Sequence, residues 1–296
     1  LANGTAVLPL RTNIKPPDGL ALYMPAYLKG MGALACKVVT VYKNNPAKFN
    51  IPTTIGKVLV QDPATGDVVC IMDGGFLTAV RTGAVSGVAT KYLAREDDNQ
   101  VAGIFGSGVQ AKMQIWAVAE ARKLSKAIVY DLSDKAANDF ISEMSKKLNL
   151  EIVKAKSPDE VLQADIICTA TSSPTPIFDG SKVKAGTHIN GIGSHTPNAR
   201  ELDTEIVKRS KFIGDSREAC FSEAGDIIIP VNNGEIAESH FYAELGEIII
   251  GKKAARANNQ EITLFKSNGL AIQDVATAKL VYDKALAAGI GVNVEI

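Results

Sequence analysis

The chain has 296 residues, enough for one large domain or, in better keeping with its length, two. Hydrophobic residues make up 46% and charged residues 22%, the profile of an ordinary globular protein. Lysine plus arginine and aspartate plus glutamate number 32 each, so the electrostatic footprint of a nucleic-acid or anionic-membrane partner is missing.

No stretch approaches the ~20 consecutive apolar residues of a membrane-spanning helix. Leu1-Ala-Asn-Gly4 has neither an initiator Met nor a basic-then-apolar signal pattern, so a chain missing its natural beginning is expected. Cys36, Cys70, Cys168 and Cys220 lie far apart without CxxC spacing. Three of them sit in apolar runs and read as small core residues in a reducing, cytoplasmic compartment. His188, His195 and His240 lack metal-ligand spacing, so no metal is expected.

In chain order, Thr5 to Ile14 and Leu20 to Met24 read as strands around the turn Lys15-Pro-Pro-Asp-Gly19, and Ala33 to Tyr42 is β-branched and apolar. Gly56 to Val60 and Val68 to Met72 flank the turn Asp62-Pro-Ala-Thr-Gly66 as a hairpin. Gly74 and Gly75 then break the pattern, and Phe76 to Leu93 reads as a helix. The polar cluster Arg95 to Gln100 marks a boundary. From about 101 to 265 strands and helices alternate, the pattern of a parallel sheet with crossover helices. Candidate strands there are 101–105, 126–131, 151–153, 165–170, 187–192 and 211–214, with a helix Ser133 to Leu148 whose Ser133 suits an N-cap. Leu270 to Ala288 is helical by composition and is followed by an apolar tail, Val292 to Ile296, able to return to the first unit.

Within this pattern Val101 to Phe105 runs into Gly106-Ser107-Gly108-Val109-Gln110-Ala111 and then a helix, Lys112 to Leu124. Gly106 allows the tight turn, Gly108 a close approach of backbone to a pyrophosphate, and Ala111 close packing of helix on strand. The helix N-terminus supplies unpaired N–H groups and a positive dipole end. Asp131 follows the next strand, twenty residues after Ala111, where an acid accepts hydrogen bonds from an adenosine ribose and disfavours a 2′-phosphate. The pattern points to NAD; a glycine-rich turn of some other α/β domain is the plainer alternative.

Three cations stand where the first unit's pattern asks for apolar residues. Lys37 shares a strand face with Ala35, Val39 and Val41; Arg81 interrupts a stripe of Leu77, Ala84, Val85 and Val88; Arg11 follows Val7 and Pro9 on one face. A buried cation needs a partner, and a lysine so placed has its pKa moved by desolvation. A small carboxylate substrate, held bidentately, is one such partner. Snorkelling or a structural ion pair is the other reading, and it is preferred for any single cation; three in one unit bring the two readings level. Farther on, Cys168 to Ser173 ends a strand where open α/β sheets place ligand contacts. The strand Thr187 to Ile192 leads to His195, which is a proton carrier or simply a surface-loop histidine. The acids of Glu244-Leu-Gly-Glu247 cap or face solvent.

Taken together, Leu8-Pro-Leu-Arg-Thr12, Met24-Pro-Ala-Tyr27, Cys36-Lys-Val-Val-Thr40, Met72-Asp-Gly74, Arg81-Thr-Gly-Ala-Val-Ser86, Gly106 to Ala111, Ile189-Asn-Gly-Ile-Gly193, Ala243 to Glu247 and Ser267-Asn-Gly-Leu-Ala-Ile-Gln-Asp274 resemble the ornithine cyclodeaminase/mu-crystallin family, in particular its archaeal-type alanine dehydrogenase branch. That family usually carries about one further helix upstream of Ala2-Asn-Gly4; its absence would leave a truncated, impaired protein. The resemblance implies an α/β fold in which a Rossmann doubly wound sheet, residues 95–267, is inserted into a mixed α+β dimerisation and substrate domain, residues 1–94 plus 268–296. It implies that Arg11, Lys37 and Arg81 hold an amino-acid carboxylate, with Lys37 also placed for proton transfer. It puts Thr82, Gly106, Ser107, Gly108, Val109, Gln110, Asp131, Thr169, Ala170, Thr171, Ile192 and Ser267 on cofactor-contact positions, and a homodimer is implied.

Cyclodeaminases of this family carry an aspartate where this chain has His195, which weakens that activity here. The leading expectation is reversible, NAD-dependent oxidation of the Cα–N bond of a small L-amino acid, alanine to pyruvate plus ammonia, or the matching imine reduction. Ornithine cyclodeamination to proline is the first alternative, and a mu-crystallin-like binding protein the second.

Overall fold

A computed structural model describes residues 2–294. The chain forms two compact units, Leu1–Arg81 with Leu270–Ile296, and Thr82–Gly269. The expected boundary at 94/95 followed the end of a helix; the observed one falls inside that helix, between Arg81 and Thr82. The return crossing lies at 269/270 rather than 267/268.

In the first unit β1 (Ala6–Val7) and β2 (Thr12–Ile14) both pair with β3 (Leu20–Leu28). The antiparallel sheet continues through β4 (Ala33–Val41), β5 (Thr54–Gln61) and β6 (Val68–Asp73), with one turn of helix, α1 (Asn45–Phe49), between β4 and β5. The single strand expected over 5–14 is split, because Pro9 has no N–H for a ladder. β3 runs four residues past its expected end at Met24 despite Pro25. Pro25 pairs with Cys36 on one side, and on the other it faces the gap where β1 and β2 part, so no ladder bond is lost. On β4 the residues Ala33, Ala35, Lys37 and Val39 are buried while their alternates are partly exposed. That inner face packs with Met24, Ala26, Val58 and Val60 against Leu77 of α2 (Gly74–Leu93) and against Ala271, Val275 and Ala278 of the last helix, Ala271–Ala287. Burying a side chain such as Val58 contributes about 2 kcal/mol, and the alanines let helix and sheet come close. Gly74 and Gly75 start α2 instead of preceding it, because Asp73 Oδ1 accepts the N–H of Phe76 at 3.0 Å.

The second unit holds, in order, β7 (Gln100–Phe105), α3 (Val109–Ala121), β8 (Leu124–Tyr130), α4 (Asp134–Leu148), β9 (Ile152–Lys154), α5 (Pro158–Val161), β10 (Ile166–Thr169), β11 (His188–Gly191), α6 (Thr204–Arg209), β12 (Ser210–Gly214), α7 (Arg217–Glu223), α8 (Gly225–Asn232), β13 (Phe241–Glu244), α9 (Leu245–Ile249) and β14 (Ile262–Lys266). Its eight strands are all parallel, in the order β13-β12-β14-β11-β10-β7-β8-β9. Ile104, Ile166 and Cys168 face one core with Ile115 and Phe140, while Phe105, Ile167 and Leu264 face another with Leu202 and Phe212. A sheet covered on both sides is the doubly wound arrangement expected. Ser133 caps α4, its Oγ accepting from Ala136 N at 3.3 Å. Glu244 and Glu247 form a capping box on α9, so this acidic pair caps.

Two strands were not anticipated, β13 and β14. Ile262–Lys266 has only Ile262, Leu264 and Phe265 as apolar residues before a lysine, too short a run for periodicity to separate it from a loop, yet it lies inside the sheet between β12 and β11. Helix α3 begins and ends three residues earlier than expected, because the dinucleotide-type turn is already helical at Val109. The chain then re-enters the first unit as α10, Ala271–Ala287. Of the expected tail, 292–294 has no regular structure and 295–296 lies outside the described residues. Among the described residues, no helix is long and apolar enough to cross a membrane.

Candidate active site

Two groups of side chains carry chemistry, one in each unit. In the first, period-2 alternation on β4 turns Lys37 inward, leaving it 2% exposed. Its Nζ ion-pairs with Asp274 at 2.7 Å and reaches Thr78 Oγ1 at 3.4 Å. From α2 the Nε of Arg81 donates to the other oxygen of Asp274 at 2.8 Å, and its Nη1 donates to Gln273 Oε1 at 2.7 Å. Asp274, on the first turn of α10, is fully buried and is shared by both cations. Even without Arg11, two cations on one carboxylate leave one positive charge over in a nearly dry place. A buried charge excess of this kind needs an anion.

The electrostatics of Lys37 follow from this packing. Burial first, and then the Arg81 charge, pull its ammonium down from 10.5 to a net value of about 8. Asp274 opposes both, and the field of Arg11 adds a smaller downward push. Nζ therefore holds a proton at neutral pH and releases it in mildly alkaline solution, the behaviour of a general acid–base group. Arg11 stands half-buried just before β2.

In the second unit the registers bring the ends of neighbouring strands level: Tyr130, Phe105, Thr169, Gly191, Lys266 and Gly214 of β8, β7, β10, β11, β14 and β12. Apart from Thr82 on α2, the residues expected to touch a cofactor stand at or just past these ends: Asp131, Gly106 to Gln110, Thr169 to Thr171, Ile192 and Ser267. The order of the strands reverses between β7 and β10, the place where open parallel sheets bind ligands. Gly106 has φ +91°, and a Cβ there would lie 2.6 Å from the Ala170 carbonyl oxygen, so only glycine fits. Beside Gly108 there is open space, and this N-cap of α3 makes no side-chain cap bond. The first-turn N–H groups of a 13-residue helix thus face a cradle suited to a pyrophosphate. Asp131 accepts from Ser107 Oγ at 2.6 Å and from Ser133 N at 2.8 Å, which holds its carboxylate at the end of β8. These residues fit a dinucleotide.

Thr82, at the start of this unit, packs against α3, because α2 crosses that helix closely: a Cβ on Gly83 would lie 2.5 Å from the Met113 oxygen. The Thr82 carbonyl accepts from Gln114 Nε2 at 3.4 Å. His195 is exposed, its Nδ1 3.0 Å from the Gly193 carbonyl, an arrangement that leaves Nε2 as the basic nitrogen. His188 is different. Buried between Thr263 Oγ1 at 2.9 Å and Asn190 Oδ1 at 3.3 Å, its ring is lowered to about 3 and stays neutral. Cys168 and Cys220 are core thiols, the former pushed up to about 12 by burial. Among the described residues no group of three or more His, Cys, Asp and Glu stands where it could hold a metal.

Sequence reasoning missed Asp274 and, in the second unit, Glu201. Asp274 ended a motif quoted for resemblance without a role. The available signal was an acid on the apolar face of a helix, with buried Ala271, Val275 and Ala278 as neighbours.

A glycine turn at the switch point of a parallel sheet, suited to a dinucleotide, is what an NAD-dependent oxidoreductase requires. The chain belongs to the ornithine cyclodeaminase/mu-crystallin family, whose profile matches residues 1–289. A Delta(1)-pyrroline-2-carboxylate reductase of Bacillus cereus is 39% identical over 293 residues, 98% of this chain and 89% of its own. The structure of Thermococcus litoralis Delta(1)-pyrroline-2-carboxylate reductase in complex with NADH and L-proline matches with TM-score 0.95 at 51% identity, covering 99% of this chain and 91% of that one. An archaeal alanine dehydrogenase dimer with bound NAD matches with TM-score 0.94 at 35% identity, covering 100% and 90%.

Proposed function

We propose that the protein is an NAD(H)-dependent reductase of small cyclic imino acids, converting Δ1-pyrroline-2-carboxylate to L-proline. The observation that carries this is the buried Lys37–Asp274–Arg81 cluster, with one positive charge in excess and an Nζ poised near pH 8. The 51% identity to a reductase whose complex holds NADH and L-proline supports a cyclic imine as the substrate.

Arg81, with Arg11, holds the substrate carboxylate and so fixes the carbon next to it. Lys37 Nζ gives its proton to the imine nitrogen. When bound, the nicotinamide supplies the hydride that this carbon accepts, and one C=N bond becomes CH–NH. Asp274 keeps Nζ in place and protonated while Gln273 steadies the Arg81 guanidinium. In the second unit Asp131 favours NAD, since a 2′-phosphate would meet its carboxylate. His195 is a proton relay to water through Nε2.

A second reading, reductive amination of pyruvate to alanine, is favoured by the likeness to the archaeal alanine dehydrogenase, and it shares the same step on an acyclic imine. A homodimer belongs to the proposal as well. β6 is an edge strand exposing Val68, Val69 and Ile71, an apolar edge that natural sheets rarely leave open. The four free thiols suit a reducing cytoplasm.

The test is NADH consumption with Δ1-pyrroline-2-carboxylate, pyruvate plus ammonia, and several 2-oxo acids, run beside proline release from ornithine with NAD. The cyclic imine is expected to lead in kcat/KM by at least about tenfold, the margin one good pocket contact supplies. A lead for pyruvate plus ammonia would transfer the assignment to alanine dehydrogenase, and proline from ornithine to a cyclodeaminase.

A further inference from the structure

We propose that Glu201 is the positioning residue for the nicotinamide half of the cofactor site, an assignment that rests on the cofactor reading above. Glu201 is 1% exposed and lies in the segment before α6. One of its oxygens, Oε1, accepts both the N–H and the hydroxyl of Thr171, each at 2.7 Å. The other, Oε2, accepts the Thr169 hydroxyl and the Gly193 N–H, again at 2.7 Å. All four donors stand at or just past the ends of β10 and β11, so a single carboxylate ties two neighbouring loops together.

Behind it the tie continues. Asp226 Oδ1 accepts the backbone N–H of Glu201 at 2.8 Å and of Leu202 at 3.0 Å. Asp226 ion-pairs with Lys266 of β14 at 2.9 Å, and Lys266 Nζ donates to the Ser194 carbonyl at 2.6 Å. The loop after β11 is therefore held at Gly193 and again at Ser194. Three ionised side chains, none more than 1% exposed, are an expensive way to hold a fold that apolar packing already holds on both faces of the sheet. A buried polar network of this kind does what apolar packing does poorly, which is to fix loop geometry.

Position assigns that geometry to one half of the ligand. With a dinucleotide bound, the turn after β7 would hold the pyrophosphate and Asp131 at the end of β8 the adenosine ribose. β10 and β11 lie on the opposite side of β7, about 5 and 10 Å away at the spacing of hydrogen-bonded strands, where the nicotinamide end of an extended dinucleotide falls.

The isosteric change Glu201→Gln breaks the device by a simple conflict. Each carboxylate oxygen serves one backbone N–H, so in either orientation the new NH2 meets one of them, and one loop is released. NADH and ADP binding are measured by calorimetry on the full chain, wild type and Glu201→Gln, with thermal unfolding beside them. The expected result is NADH bound at least about tenfold more weakly and ADP within about twofold of wild type. Equal weakening of both ligands, or a fall in melting temperature with no change in the NADH-to-ADP ratio, overturns the proposal and leaves a structural role. If the glutamine variant does not fold, Thr171→Val, which removes one donor to Glu201 and the acceptor of the Ser173 N–H, is expected to weaken NADH about threefold with ADP unmoved; an unchanged ratio overturns the proposal equally. Wild type that binds no NADH removes the cofactor reading itself, whereas binding that Glu201→Gln leaves intact removes only the role of Glu201.

Discussion

Replacing Asp274 by asparagine tests the electrostatic core of the proposed mechanism. At 2.7 Å and an effective dielectric of about 20, the attraction between Asp274 and Lys37 is about 6 kcal/mol. If one third of it is felt as a preference for the charged lysine, its loss is worth about 2 kcal/mol, or about 1.5 pK units. Lys37 then falls from about 8 in wild type to about 6.5 in the variant. The sign follows from the role: imine reduction needs Nζ protonated, so activity is full below the pKa and lost above it. At pH 7.5 the protonated fraction drops from about three quarters to about one tenth, an eightfold loss, whereas at pH 5.5 the two enzymes differ by only about a tenth. The assay is kcat for NADH-dependent reduction from pH 5 to 9.5, with circular dichroism to confirm the fold. Stability should also fall by about 3–5 kcal/mol, because Arg81 and Lys37 lose their shared buried partner. A rate loss equal at every pH, or an alkaline limb that stays near 8 or moves up, would refute the assignment of Lys37 as the acid.

Lys37→Ala should lower turnover at least about 100-fold with the fold intact; a loss below tenfold would reduce Lys37 to packing. Asp131→Ala should relax the preference for NADH over NADPH, read as the ratio of the two kcat/KM values, and a wild type already faster with NADPH would contradict the role given to that carboxylate. Ile71→Lys on the exposed edge strand β6 should shift the chain toward monomer in light scattering, and a variant that remains dimeric would place the contact elsewhere.

The sequence was most legible where the constraint is local. Gly106 must be glycine because of its own φ and its neighbour's carbonyl, so the turn could be read from a dozen residues. Lys37 was visible because a charge in the apolar phase of a strand breaks a period of two. For Asp274 the local signal, an acid on the apolar face of a helix, marks the residue but not its role, since its partner Arg81 lies 193 residues away. Glu201 hides for the same reason, with donors 30 and 32 residues upstream and 8 residues upstream. The unit boundary inside α2 was illegible because a helix that spans two packing environments keeps one uninterrupted pattern. β14 escaped because strands buried on both faces carry no alternation to count.

The placement of β14 has a consequence for synthesis. β12 and β13 leave the ribosome well before Ile262–Lys266, yet their only route to the rest of the sheet runs through that strand. Until it arrives, β11 and β12 present two open edges, each with unpaired backbone N–H and C=O groups facing an empty slot. A nascent chain stalled at residue 261 thus carries two unpaired strand edges, and five residues inserted late close both of them in a single step.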